Sequence, residues 1–283
     1  APATDVGALP AVPQPGTGVV RFVDVDDDAL IDLLVVGGEV FNSALFLLKA
    51  SAPLTWGAPQ ELVGATTGES VGNPLMFDVG DFNSDGSVDI AVIFAKLTGE
   101  LTMFLNDGTG VFSQQPTVVA GKRPKAIKAV DIDGDGLLDV AVGSGSGGTN
   151  LFGMYNLMTA GEPSTFSIGA TVVLMNDIDL VTQIGVVDMN FDGAVDFVAN
   201  SEDQDEIWLK VNTRLANQLP VKVVESSAPS TRVKLLDGDT DGDLDMMVAL
   251  DGLGAANGND LGVGMYENSN GDGAFVAPKT VFV

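Results

Sequence analysis

The chain has 283 residues, 45% of them hydrophobic, with 35 Gly and only 13 Lys plus Arg. That apolar content excludes disorder, and the glycine suits an all-β protein with many tight turns. A formal charge of −26 without a basic stripe excludes nucleic acid as a partner, and the lack of Cys and His excludes disulfides, thiolate metal sites and Ser-His-Asp or Cys-His catalysis.

Residues 1–18 hold Pro2, Pro10, Pro13 and Pro15 among small residues, and they read as an extended arm or linker. The start Ala1-Pro-Ala-Thr resembles a mature end left by signal cleavage. No apolar run approaches the ~18 residues of a membrane helix, so no membrane span is expected.

From Val19 to Val283 one unit recurs about every fifty residues. Its landmark is an acidic loop. The copies are Asp24-Val-Asp-Asp-Asp28-Ala-Leu-Ile-Asp32, Asp81-Phe-Asn-Ser-Asp85-Gly-Ser-Val-Asp89, Asp131-Ile-Asp-Gly-Asp135-Gly-Leu-Leu-Asp139, Asp188-Met-Asn-Phe-Asp192-Gly-Ala-Val-Asp196 and Asp237-Gly-Asp-Thr-Asp241-Gly-Asp-Leu-Asp245. Alternation predicts a strand before each loop, over 19–23, 75–79, 126–130, 184–187 and 232–236. A nearly all-apolar strand is predicted after each, over 33–36, 90–94, 140–142, 197–199 and 246–250. Third strands are expected over 44–49, 101–106, 151–156, 207–212 and 262–267. Fourth strands are expected over 61–63, 116–120, 171–174, 220–224 and 278–283. Four strands per unit of this length is one propeller blade. The prediction is an all-β β-propeller of five four-stranded blades, over about 19–72, 73–122, 123–180, 181–229 and 230–283. Solenoid stacking is the structural alternative.

The loops point to calcium, which takes roughly 6–8 hard oxygen ligands at about 2.3–2.6 Å. Position 1 is Asp24, Asp81, Asp131, Asp188 or Asp237, and position 3 is Asp26, Asn83, Asp133, Asn190 or Asp239. Position 5 is Asp28, Asp85, Asp135, Asp192 or Asp241, and position 9 is Asp32, Asp89, Asp139, Asp196 or Asp245. The carbonyl of position 7, as at Ser87, Leu137, Ala194 and Asp243, is expected to face the ion. Gly at position 6 allows the positive φ that turns the chain. Magnesium tolerates such a crowd of carboxylates poorly, and zinc prefers Cys or His. The helix-loop-helix calcium hand needs Glu at position 12, where this chain has Val35, Val92, Val142, Ala199 and Val248. A single copy would also read as an acidic turn, but five aligned copies argue for about four to five calcium ions. Loop 1 has Ala29 at position 6 and is expected to bind most weakly or not at all. Nearly half of the 39 acids lie at these positions, so much of the charge is ligand charge.

The pattern Asp-x-Asp/Asn-x-Asp-Gly-x-x-Asp, with segments such as Leu105-Asn-Asp-Gly-Thr-Gly-Val-Phe112 and Tyr266-Glu-Asn-Ser-Asn-Gly-Asp-Gly-Ala-Phe275, resembles the FG-GAP (VCBS-type) repeat. Integrin α-subunit propellers and many secreted microbial proteins carry it. The resemblance covers 19–283 and implies calcium between the first and second strands of each blade, on the lower face of the disc. The best-known relatives have seven blades. Five here make either a closed five-bladed ring or part of something larger.

Weak oxygen sites fill where calcium is millimolar, so the chain is expected outside the cell or at its surface. Its expected role is non-catalytic recognition, adhesion or assembly with structural calcium. A carbohydrate-binding lectin is the second reading and a polysaccharide lyase the third. The partner would be an extracellular protein or glycan, or other copies of the chain bridged by calcium. Lys122, Arg123, Lys125 and Lys128 precede the third first-strand, opposite its loop, and either dock an anionic partner or form a solvated turn. Trp56 and Trp208 are candidate sugar platforms, with packing as their commoner fate. Tyr155 and Tyr266 are candidate bases or packing residues. The Gly-rich loops 143–150 and 251–262 share the face of the basic cluster.

Overall fold

A computed structural model of the chain describes residues 19–39, 42–63, 74–94, 98–145, 150–158, 167–202, 206–211, 219–225, 230–250, 262–268, 271, 274–275 and 279–282. The N-terminal arm and most of the loop 251–262 lie outside them. Among the described residues there is no helix, and hence none long and apolar enough to cross a membrane.

Among the described residues the strands form five antiparallel sheets of four or five strands and one two-stranded hairpin. Apart from one strand of the second, each large sheet is a meander in chain order. Sheet 1 holds β1 (Val19–Val23), β2 (Asp32–Glu39) and β3 (Asn42–Leu48). A hairpin of β4 (Ala50–Ala52) and β5 (Thr55–Trp56) follows, and β6 (Gln60–Val63) closes the sheet. Sheet 2 holds β7 (Pro74–Gly80), β8 (Asp89–Phe94), β9 (Glu100–Asn106), β10 (Phe112–Gln114) and β11 (Val118–Val119). Sheet 3 holds β12 (Ala126–Val130), β13 (Asp139–Gly143), β14 (Asn150–Asn156) and β15 (Ile168–Asn176). Sheet 4 holds β16 (Val181–Val187), β17 (Asp196–Ser201), β18 (Glu206–Lys210) and β19 (Val221–Glu225). Sheet 5 holds β20 (Ser230–Leu236), β21 (Asp245–Leu250), β22 (Gly262–Tyr266) and β23 (Lys279–Phe282).

Sheet 2 differs from the expected four strands. The Asp107–Gly110 turn sends the chain straight back, so both β10 and β11 pair with β9. The hairpin β4–β5 was likewise not expected. In every sheet the acidic loop joins the first strand to the second, and the last Asp of the loop opens the second strand.

The chain divides into two compact units: Ala1–Ala120 with Asn156–Gly169, and Gly121–Tyr155 with Ala170–Val283. Within the first, the apolar second strands explain themselves. Leu34 and Val36 of β2 pack with Phe77, Ile90 and Val92 of sheet 2, while Leu33 and Val35 pack on the opposite face with Phe46 and Leu48. Within the second, Phe197 and Ala199 of β17 join the core under sheet 3, and Val198 points the other way into the core with Val233 and Met246. A strand buried on both faces must be apolar at every position, which overrides simple alternation.

Candidate metal centre

Each loop is wound around its first aspartate. Asp81 Oδ1 accepts the Asp85 N–H at 3.1 Å and its Oδ2 accepts the Gly86 N–H at 2.9 Å. Asp24, Asp131 and Asp188 accept the sixth residue's N–H in the same way. The fifth-position Asp caps the N–H of position 7, at 2.8 Å from Asp28, Asp85, Asp135 and Asp192 and at 3.1 Å from Asp241. In loops 2 and 4 the Asn at position 3 also donates to it.

Two residues per loop carry positive φ. At position 6 these are Gly86, Gly136, Gly193 and Gly242, with Ala29 at +67° in loop 1. A Cβ added at any of the four glycines meets nothing within 4 Å, so the preference there is one of backbone conformation alone. Position 4 is left-handed too, at Asp27, Ser84, Gly134, Phe191 and Thr240. A non-glycine residue there costs about 1–2 kcal/mol. Ala29→Gly should therefore stabilise the protein by about 0.5–1 kcal/mol, net of the freer unfolded chain. Chemical denaturation reads this directly, and a loss of stability would contradict it.

The ninth-position aspartates are the anchors. Asp32, Asp89, Asp139, Asp196 and Asp245 are all buried. Asp89 Oδ2 accepts the Phe82 N–H at 3.0 Å, and its Oδ1 accepts the Asn106 N–H at 2.8 Å at the end of β9. Asp32 does the same for Val25 and Ala50, and Asp245 for Gly238 and Asn268. One side chain thus ties the loop to the strand two places on. Burial, then the nearby Asp85 and Asp81 carboxylates, push Asp89 up to about 6 against the pull of its two N–H donors. Burial, then its neighbour Asp241, push Asp243 up to about 6 as well.

Carboxylates converge at three loops. Asp24, Asp26 and Asp32, then Asp131, Asp133 and Asp139, then Asp237, Asp239 and Asp245 each bring ligand oxygens within 4.8 Å of one another. These are positions 1, 3 and 9. Loops 2 and 4 place Asn83 and Asn190 at position 3, a neutral amide oxygen in the same register. Like charges at that separation with no cation between them repel strongly. Asp26 Oδ1 is buried and has no hydrogen-bond partner, and the same holds for Asp243 Oδ1. Buried acceptors without partners are costly. Hard oxygens gathered around an unsatisfied acceptor fit a hard cation such as calcium. In loop 1, Lys49 Nζ lies 3.0 Å from Asp26 Oδ2 and 2.6 Å from the Thr109 carbonyl, so an ammonium already offsets part of the charge.

The third strands contribute a group that the loop pattern does not reveal. Asn106 at the end of β9 donates through Nδ2 to the Val25 carbonyl of loop 1 at 2.8 Å and to the Val88 carbonyl at 3.1 Å. Its Oδ1 accepts the N–H groups of Gly108 and Gly110. Asn156 donates to the Phe82 carbonyl of loop 2 at 2.8 Å. The signal was present in the sequence as an Asn closing three of the predicted third strands.

Other predicted residues are placed as follows. Lys122, Arg123 and Lys125 are exposed in the turn before β12, and Lys128 sits on β12 itself, half-buried. Trp56 packs against the sheet 1 core, tilted against Phe22, and donates to the Ile31 carbonyl at 3.0 Å. Trp208 packs beside Phe197 and Ala199 and donates to Glu206 at 2.9 Å. Tyr155 and Tyr266 are packed in the cores of the second unit. Burial, then Asp139 and Asp133, raise the Tyr155 phenol above its usual value, the wrong direction for a base.

None of the curated proteins matches the chain by sequence. Among solved structures it resembles an Agrocybe aegerita lectin that recognises non-reducing terminal N-acetylglucosamine, at 15% identity and a TM-score of 0.58. That likeness covers 94% of this chain and 66% of the lectin, so the chain spans just under two thirds of it. At this identity the likeness is one of fold. A Photorhabdus luminescens Tc holotoxin pore aligns at 18% identity and a TM-score of 0.41, over 99% of this chain and 12% of the toxin. The model of the FG-GAP-like repeat matches residues 81–142, from the first aspartate of loop 2 to Val142 of β13 beyond loop 3. Two of the five acidic loops lie inside that match, so over residues 81–142 the chain carries an FG-GAP-like repeat.

Proposed function

We propose that the chain is a secreted, calcium-loaded β-propeller of five blades that serves as a non-catalytic recognition, adhesion or assembly module. The observation that carries this reading is the convergence of positions 1, 3 and 9 in each of loops 1, 3 and 5, with a buried, unpartnered Asp26 oxygen in the first of these clusters. Calcium would be held by these oxygens and by the matching Asp and Asn groups of loops 2 and 4. Bound there, it supplies positive charge and coordination. The chain's own groups do the rest: position 9 carries the order of the loop into the third strand, and the third-strand Asn carries it to the neighbouring loop. Five meandering sheets with doubly buried second strands are what blades stacked face to face require.

Glycan binding is the second reading, supported by the fold likeness to the lectin. Against aromatic platforms stands the packing of Trp56 and Trp208. The lyase reading needs a base beside the metal, and Lys49 and Tyr155 are respectively ion-paired and raised in pKa.

Elemental analysis after dialysis against millimolar calcium tests the reading. Three to five calcium ions per chain are expected, consistent with oxygen-only sites. Fewer than one would sink it. Asp26→Asn gives a second check with a change of sign. It removes a charge from a like-charged cluster, so it should raise stability in chelator and lower it in calcium, by about 1 kcal/mol each way. The same sign in both conditions would contradict a cation at this cluster.

A further inference from the structure

Within each compact unit, successive sheets meet by one recurring contact. The residues four and two places before a loop's first Asp turn toward the preceding sheet. Phe77 and Val79 of β7 pack in this way with Leu34 and Val36 of β2 and Leu45 and Leu47 of β3. Ile184 and Val186 of β16 share a core with Ala141 of β13 and Leu151 of β14. Val233 and Leu235 of β20 share one with Val198 of β17 and with Ile207 and Leu209 of β18. The matching residues of β1 are Val20 and Phe22, and these are 40% and 65% exposed. The Phe22 ring leans on Trp56 at a centroid distance of 6.5 Å, and Ile31, whose carbonyl takes the Trp56 indole N–H, is exposed as well. Large apolar side chains grouped at a surface mark an interaction face.

The other half of the contact is open in the last sheet of the sequence. The second- and third-strand side chains that receive a following sheet are Leu34, Val36, Leu45 and Leu47 in sheet 1, and Val198, Ile207 and Leu209 in sheet 4. All of these are buried. Their counterparts in sheet 5 are Met247 and Ala249 of β21, which pair across the ladder with Met265 and Val263 of β22. These four are only half-buried. On the reverse side Met246, Val248 and Tyr266 are buried in the core shared with sheet 4. Two methionines give the open face side chains that adapt to the shape of a partner.

We propose that sheet 5 of one molecule docks on sheet 1 of a second copy, with Val20 and Phe22 set against Met247 and Met265. The occupant follows from the register. Sheet 1 presents the residues that elsewhere seat on a preceding sheet, and sheet 5 presents those that elsewhere receive a following one. A contact between two different faces is head-to-tail, so it builds closed rings or open filaments rather than symmetric dimers alone. The proposal uses the stacking seen inside each unit and does not rest on the calcium reading.

The test is sedimentation velocity over a wide range of concentration, in calcium and again in chelator. Phe22→Asp blocks one face and Met247→Asp the other. Each variant alone should associate about tenfold more weakly than the parent chain or worse, as for the loss of a central anchor. Mixed in equal amounts, the two should form dimers and nothing larger, because each brings the face that the other lacks. Added salt should strengthen association of the parent chain by screening its negative charge. Melting points matched to that of the parent chain guard against simple unfolding, and Ala249→Asp on the same face replaces Met247→Asp should the latter melt early. A parent chain that stays monomeric would mean that something else covers the Phe22 face, and it overturns the proposal. Association blocked by Phe22→Asp but not by either sheet 5 variant would join two sheet 1 faces and overturn it too. So would association that vanishes in chelator from a folded chain and ignores every substitution, which would place the contact on calcium.

Discussion

Stripping calcium should lower the unfolding midpoint by about 15–30 °C. The estimate comes from mass action. A site with a dissociation constant near 10⁻⁴ M, ordinary for extracellular modules, gains about 2.7 kcal/mol when calcium stands at roughly a hundredfold excess over it. Three three-carboxylate clusters together then contribute about 8 kcal/mol. In a chain of this size each kcal/mol moves the midpoint by roughly 2–4 °C. Scanning calorimetry in 10 mM calcium and in excess chelator reads the difference, and magnesium at equal concentration should restore little of it. A midpoint that moves by less than about 3 °C would mean that the carboxylate clusters hold no cation of consequence.

Asp89→Ala should cost about 3–5 kcal/mol even in chelator, where metal plays no part. The substitution leaves two buried N–H groups, those of Phe82 and Asn106, without acceptors, and each such orphan costs about 1–3 kcal/mol. Part of that loss is offset, because a carboxyl pushed up to about 6 by burial was itself expensive to keep charged. The N–H groups win because neither faces solvent from which to recruit water. Urea unfolding in chelator measures the cost, and a loss below about 1 kcal/mol would show that both donors find other partners. Asp26→Asn under the same conditions should go the other way, so the pair separates an aspartate that anchors the fold from one suited to a ligand.

Much of this architecture could be read before any coordinates. The first and second strands were found within a few residues, because an acidic loop of fixed length brackets them and the second strand is apolar on both faces. The hairpin over Ala50–Trp56 and the split of β10 from β11 were not found. Both depend on where a turn redirects a short polar stretch, which hydrophobic pattern does not record. Position 6 of the loops announced itself through glycine. Position 4 did not, since Asp27, Ser84, Phe191 and Thr240 give no hint in their residue types of a left-handed backbone. Gly134 alone carried that signal. The sequence pattern treats positions 1, 3, 5 and 9 of a loop alike as ligands, whereas the structure separates their work. Position 5 caps the turn, position 9 pins the third strand, and in loops 1, 3 and 5 the carboxylates of positions 1, 3 and 9 gather. Asn106 and Asn156 each close a predicted third strand, but the carbonyls of Val25 and Phe82 that they hold lie in the loops of other sheets, which the strand pattern does not link to them.

Those two asparagines bear on cooperativity. The Asn106 amide holds a carbonyl of the preceding loop, so sheet 2 cannot melt without exposing a polar group that sheet 1 had buried. The second repeat cut out on its own would keep the Asn106 bond to its own Val88 carbonyl but lose the one to Val25. The first would leave the Val25 carbonyl without that donor. Nearest-neighbour terms of this kind make the whole array unfold over a narrower range than its separate parts would. A pair of neighbouring repeats should therefore unfold later than either one alone.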